Sequence, residues 1–184
     1  MVFKMGFVIP PYDTDPRMLD KIYQELSGAM SNKFTVEKQK ELTYRPIRPN
    51  EINPALTTVT RIYNSVTGLA GVYGRILGAA ADAVTPSGNA FIIFGWMFLD
   101  DPTGANPIGL GGVGQIVVEG TVRNEVCLKL IDMMPQRCLL TMDQIIIVTE
   151  NTTWTMQIKG LAAAQVIAYP LGFRIGPMSQ LNQG

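Results

Sequence analysis

The stretch AFIIFGWMFL, residues 90 to 99, is a ten-residue apolar run followed by the turn sequence Asp100-Asp101-Pro102-Thr103-Gly104. A short apolar run that is rich in aromatic and β-branched residues and closed by turn residues predicts a buried β-strand. From Asn89 onward the hydrophobic period is two, so this strand stands at the beginning of a β region.

The first predicted hairpin lies downstream of that strand. It joins residues 115–122 to residues 125–132 through the three-residue loop Val122-Arg123-Asn124. This loop length places Ile116 opposite Leu130, so that apolar side chains meet on one face of the hairpin.

A second hairpin is predicted from Ile145–Thr149 and Thr153–Lys159, and further strands from Gln165–Tyr169 and Leu171–Ile175. At least six strands in close succession favour an antiparallel β-sandwich or barrel over residues 87–184.

Upstream, residues 54–86 carry apolar residues at alternating spacings of three and four, which predicts a long helix that forms either a coiled coil or a contact along a partner surface. Four glycines inside it, at 68, 71, 74 and 78, each cost about 1 kcal/mol relative to alanine in a helix. Either the helix breaks near Gly68 to Gly71, or the glycines admit another backbone at close range, which is the interpretation favoured here. The interface candidates on this helix are Tyr63, Val66, Tyr73, Gly74, Leu77 and Gly78.

Residues 1–53 are predicted to contain an extended arm (1–14), a short helix (16–30) and an extended linker (31–53). Asp15 followed by Pro16 is a typical helix start. Apolar residues then recur at helical spacing: Met18, Leu19, Ile22, Tyr23, Leu26 and Met30. The predicted fold class is therefore α+β, with an N-terminal arm and helices followed by an antiparallel β body.

The chain contains no histidine, and Cys127 and Cys138 are its two cysteines. This composition excludes Ser-His-Asp and Cys-His mechanisms and histidine-ligated metals. Glu125 near Cys127 disfavours a reactive thiolate, so both cysteines are interpreted as buried structural residues. No cofactor and no enzymatic activity are predicted.

The glycine-rich segment 109–114 matches G-x-G-x-x-G by letter, but it precedes a predicted strand, whereas a dinucleotide-binding motif follows one and opens a helix. It is interpreted as a loop. Among the carboxylate pairs Asp13/Asp15, Asp100/Asp101 and Glu119/Glu125, the turn at Asp100-Asp101 carries a weak calcium hypothesis.

The charge is low and uneven. Charged residues make up 16% of the chain, and residues 62–184 hold 6 basic and 8 acidic side chains against 9 and 7 in residues 1–61. A low-charge surface favours coverage by neighbouring subunits. The zero net charge argues against a nucleic-acid binder, although the mixed-sign segment 33–61 carries a weak hypothesis of nucleic-acid contact.

The predicted function is a structural subunit of a self-assembling homo-oligomeric particle or tube, foremost a virus or phage capsid or virion protein. Neither a secretory signal nor a membrane-spanning segment is predicted, which favours a virion or cytoplasmic location. The alternative is a ligand-binding β-barrel without catalytic activity, whose pocket is lined by Phe94, Trp96, Trp154 and Tyr169. An enzyme of another type ranks third.

Overall fold

The computed structural model describes residues 42–56, 63–66, 71–101, 108, 111–132 and 139–181, together with Gln24 and Gly28. In this part the chain consists mostly of antiparallel β-strands with a few short helices. The strands are β1 (Leu42–Pro46), β2 (Tyr63–Val66), β3 (Gly74–Arg75), β4 (Ala83–Val84), β5 (Ala90–Leu99), β6 (Val113–Val118), β7 (Thr121–Cys127), β8 (Leu139–Val148), β9 (Thr153–Lys159) and β10 (Ala164–Pro177). The helices are α1 (Pro49–Ile52), α2 (Leu128–Asp132) and α3 (Met178–Leu181), and a 3-10 turn covers Ile76–Gly78.

The strands form two antiparallel sheets. Sheet A has the order β1-β10-β5-β8, with β2 also paired to β10. Sheet B has the order β3-β9-β6-β7, with β4 also paired to β9. The predicted antiparallel β body is confirmed at this level.

One hydrophobic core joins the two sheets. Trp96 and Phe98 of sheet A pack in the same buried cluster as Ile116, Trp154 and Met156 of sheet B. The register of β5 against β8 shifts between Ile93 and Gly95, which lets the residues before and after the shift both face this core.

The predicted long helix over 54–86 is wrong in its described part. Residues 63–66 and 74–75 are strands, and the chain takes left-handed conformations at Gly71 (φ 81°), Leu77 (φ 57°) and Gly78 (φ 63°). A right-handed helix requires negative φ at each residue, so these positions end it. The cost of glycine in a helix thus outweighs the three-and-four periodicity.

The first predicted hairpin exists as β6 and β7, but the predicted position and length of its turn are wrong. The loop is the two-residue turn Glu119-Gly120, with φ of 49° and 74°, and Ile116 pairs with Asn124. The segment after Cys127 forms α2 and not the end of a strand. A two-residue turn with two positive φ angles matches the twist of antiparallel strands, which explains its use here.

The second predicted hairpin is wrong as a pairing, although both of its strands exist. β8 pairs with β5 in sheet A, whereas β9 pairs with β3, β4 and β6 in sheet B. The turn at 149–152 therefore carries the chain from one sheet to the other.

The remaining predictions have mixed outcomes. The two strands predicted at 165–169 and 171–175 are one strand, β10, and the linker predicted at 31–53 contains β1 and α1. The arm (1–14) lies outside the described residues, as does the helix predicted at 16–30 apart from Gln24 and Gly28.

Candidate functional site

The six interface candidates do not share one helix face, because they lie in β2, immediately before β3, in β3 and in the 3-10 turn that follows it. Tyr63 and Val66 lie in β2 of sheet A, and Gly74 lies in β3 of sheet B, where it pairs with Ile158. Leu77 is buried at 5% exposure, and Gly78 is exposed.

The sixth candidate, Tyr73, lies on the face of sheet B that points away from the core. Its hydroxyl donates a hydrogen bond to Glu125 of β7 (3.3 Å), and the Lys159 ammonium stands 4.5 Å from its ring centroid. On the same face, Gln115 Nε2 donates a hydrogen bond to Gln157 Oε1 across the β6–β9 pairing (2.8 Å). The surroundings of Tyr73 are therefore polar and hydrogen-bonded.

Asp100 is buried and engaged by several protein groups. Its Oδ1 accepts the backbone N–H groups of Ile108 (2.8 Å) and Asp101 (2.9 Å), and its Oδ2 pairs with Lys129 Nζ (2.9 Å). Burial alone would raise the pKa of this carboxyl, but the hydrogen bonds from Ile108, Lys129 and Asp101 outweigh it and hold the pKa below the ordinary value of 3.8. The lysine takes the place at the carboxylate that the calcium hypothesis gives to a metal ion.

Glu51 joins two arginines from neighbouring strands. Arg45 of β1 donates to both Glu51 carboxylate oxygens (2.9 and 3.0 Å), and Arg174 of β10 donates to Oε1. The three side chains are 6 to 13% exposed. Arg45 therefore serves a buried ion network and not a nucleic-acid surface, while Lys33, Lys38, Lys40 and Arg61 lie outside the described residues.

The other candidate residues come together in no reactive cluster among the described ranges. Glu119 lies in the β6–β7 turn and Glu125 on the outer face of sheet B, both exposed. Cys127 is half-buried at the end of β7, and Cys138 lies outside the described residues. Within the described part of the chain, no three acidic or cysteine side chains are placed to hold a metal ion, and no helix could span a membrane.

Of the described glycines of segment 109–114, Gly111 and Gly112 precede β6, as predicted, whereas Gly114 lies within this strand. A Cβ at Gly112 would lie 2.8 Å from Ile108, and a Cβ at Gly114 would lie 2.8 Å from Leu128 and 3.0 Å from Trp96. These glycines therefore allow close packing against the core, a role that the sequence motif does not reveal.

The four aromatic residues of the predicted ligand pocket do not converge. Trp96 and Trp154 are buried in the core between the sheets, and Tyr169 packs against that core while its hydroxyl donates to the Ile47 carbonyl. Phe94 belongs to a separate cluster with Phe173 on the other face of sheet A.

Exposed apolar side chains lie at both ends of sheet B. At one end, the Gly71 N–H donates a hydrogen bond to the Gly160 carbonyl. The side chains of Val72 (51% exposed) and Leu161 (66% exposed) lie beyond this hydrogen bond. Val84 (60%) and Val122 (51%) lie toward the opposite end, at the β4–β9 pairing and next to the β6–β7 turn. Sequence alone did not identify these positions, because exposure depends on the pairing of distant strands.

Comparison with known proteins leaves the family open. No protein-family model matches the chain, and no curated protein matches it. Among solved structures, the cupin domain of Schizosaccharomyces pombe Cnp3 is 14% identical, with 81% of this chain and 74% of that domain covered at a TM-score of 0.23. At that TM-score the likeness supports no conclusion about fold or activity.

Proposed function

We propose that this chain is a structural subunit of a self-assembling homo-oligomeric particle or tube, foremost a virus or phage capsid or virion protein. The observation that carries the proposal is the presence of exposed apolar side chains at opposite ends of sheet B, Val72 and Leu161 at one end and Val84 and Val122 at the other. Contact between two unlike ends repeats from copy to copy, and it closes into a ring or continues as a filament.

Two further observations support a structural role. Charged residues make up 16% of the sequence, against about 25% in ordinary soluble proteins. The carboxylates of Asp100 and Glu51, both largely buried, are held in ion pairs with Lys129 and with Arg45 and Arg174. The proposal accordingly assigns the chain no catalytic activity.

The test compares assembly of the wild-type chain with that of variants at each end. Leu161→Asp and Val84→Asp each place a charge at one end of sheet B, and we expect each to reduce the assembled mass in solution and the particles seen by negative-stain imaging. Met178→Asp is the matched control, because Met178 is similarly exposed (58%) but lies in α3, which follows β10 of sheet A.

Mixing the two variants tests whether the contact joins the Val84 end of one copy to the Leu161 end of the next. Leu161→Asp retains the Val84 end, and Val84→Asp retains the Leu161 end, so the mixture should form dimers that grow no further. A wild-type chain that stays monomeric at high concentration would contradict the proposal. Assembly that survives both substitutions would contradict the assignment of the contact to these ends.

A further inference from the structure

Two buried polar side-chain atoms make no hydrogen bond within the described residues: the hydroxyl oxygen of Thr85 and the indole nitrogen of Trp154. Their side chains are 0% and 1% exposed. A buried polar atom without a partner costs free energy, because it has lost its hydrogen bonds to water. Native proteins satisfy nearly all such atoms, either with protein groups or with an ordered water molecule.

The two atoms belong to neighbouring side chains on the core face of sheet B. Ala83 of β4 pairs with Trp154 of β9, and both residues pack in the shared core. The pairing continues by two positions, since the Thr85 N–H donates a hydrogen bond to the Thr152 carbonyl (3.0 Å). Side chains alternate along a strand, so Thr85 faces the same side as Ala83. Thr85 and Trp154 are therefore diagonal cross-strand neighbours, about 7–8 Å apart and within reach of an aromatic side chain.

The chemistry of the two groups selects the kind of molecule that can join them. An indole N–H is a donor only, whereas a threonine hydroxyl both donates and accepts. A water molecule can accept the hydrogen bond of the indole and donate one to the hydroxyl, as buried waters do between polar groups. The buried cluster that contains Trp154 is made of hydrophobic residues, so an ion at this place would remain without a counter-charge.

We propose that one buried water molecule bridges Trp154 Nε1 and Thr85 Oγ1 and thereby joins β4 to β9. Only Ala83 and Val84 of β4 are in strand pairing with β9, so the bridge adds a link where the backbone ladder is short. The inference concerns the interior of one chain. It does not rest on the proposed assembly, and a chain that stays monomeric would leave it unchanged.

The first experiment measures the sign of a stability change. Thr85→Val removes the hydroxyl and keeps the shape of the side chain. We expect the urea midpoint to fall, because the bridging water loses a partner in the core. If the hydroxyl had no partner, an apolar group of the same shape would leave the midpoint unchanged or raise it. Thr153→Val is the matched control at an exposed position of β9, where the midpoint should change little.

A double-mutant cycle tests whether the hydroxyl and the indole share one partner. Trp154→Phe removes the indole N–H, so adding Thr85→Val to it should lower the urea midpoint by less than Thr85→Val does alone. The control pairs Thr85→Val with Trp96→Phe. The Trp96 N–H already donates to Asn124 (3.1 Å), and the two substitutions should therefore be additive.

A crystal structure of the full chain shows the water directly. We expect an electron-density peak at about 2.7–3.2 Å from both Trp154 Nε1 and Thr85 Oγ1, and the loss of this peak in Thr85→Val. Three outcomes would overturn the proposal. They are a direct hydrogen bond between the indole and the hydroxyl, the lack of a peak beside the two atoms, and a urea midpoint that does not fall in Thr85→Val.

Discussion

At the residue scale, Glu51 is the buried anion between Arg45 and Arg174. Glu51→Gln would leave two buried guanidinium groups close together without a carboxylate, and we expect a loss of about 3–5 kcal/mol in unfolding free energy. The matched control is Asp82→Asn, which removes the exposed ion pair with Arg75 (36 and 37% exposed) and should cost about 0–1 kcal/mol. Urea denaturation measures both, and equal losses would refute the structural role of the Glu51 network.

Asp100 makes stability depend on pH. Its pKa is lower in the folded chain than the ordinary 3.8, so its contribution is fully present above the unfolded pKa and is lost as pH falls through the folded pKa. We expect Asp100→Asn to lower the urea midpoint at pH 7 and the difference from wild type to shrink as the pH falls below 3.8. Lys129→Met should reproduce much of the loss at pH 7, and calcium should not raise the melting temperature. A calcium-dependent rise would restore the metal hypothesis.

Asp100 also shows which feature of the structure the sequence did not predict. The sequence Asp100-Asp101-Pro102-Thr103-Gly104 predicted a turn, and the strand before it does end at Leu99. The buried carboxylate of Asp100 is held by an ion pair with Lys129, which lies 29 positions away, and by a hydrogen bond from the Ile108 N–H. No local pattern specifies such partners, because the fold brings them together.

At the element scale, β5 was predicted with its observed bounds, Ala90–Leu99. Continuous apolar and β-branched residues leave few alternatives to a buried strand. The prediction of a helix over residues 54–86 was wrong, because the apolar spacing there left an alternative to the predicted structure. That spacing fitted a helix, but Gly71 and Gly78 take positive φ, which only a turn or loop accommodates.

The chain passes from sheet A to sheet B between β8 and β9, and the compositions of these two strands indicate this in part. β8 contains Ile145, Ile146, Ile147 and Val148 in succession, which is typical of a strand covered on both faces. β9 alternates apolar and polar residues, which is typical of a strand with one polar face. Two strands of such different character fit better in two sheets than in one hairpin.

The β6–β7 turn offers a prediction at this scale. Glu119 adopts a φ of 49°, a left-handed conformation that is unfavourable for most residues with a Cβ but that asparagine tolerates well. Glu119→Asn should therefore raise the unfolding free energy by up to about 1 kcal/mol. Gly120→Ala, at a φ of 74°, should lower it. Thermal melts of the two variants should move in opposite directions, and a fall in both would argue against this turn type.

At the scale of the whole molecule, the two sheets depend on each other for burial. Trp96 of sheet A donates its indole N–H to Asn124 of sheet B (3.1 Å), and Trp154 of sheet B lies 5.1 Å from the Phe91 ring of sheet A. The sequence indicated a β body of this kind, but not which strands pair, since register and sheet membership arise from long-range contacts.

Because each tryptophan sits in the shared core but on a different sheet, the two can report on the sheets separately. In Trp154→Phe the remaining tryptophan fluorescence comes from Trp96 and sheet A, and in Trp96→Phe it comes from Trp154 and sheet B. A single core should unfold in one cooperative step, so within each variant the urea midpoint from fluorescence should equal that from far-ultraviolet circular dichroism. Midpoints that separate in either variant would mean that one sheet unfolds while the other persists, which a core shared by Trp96 and Trp154 does not allow.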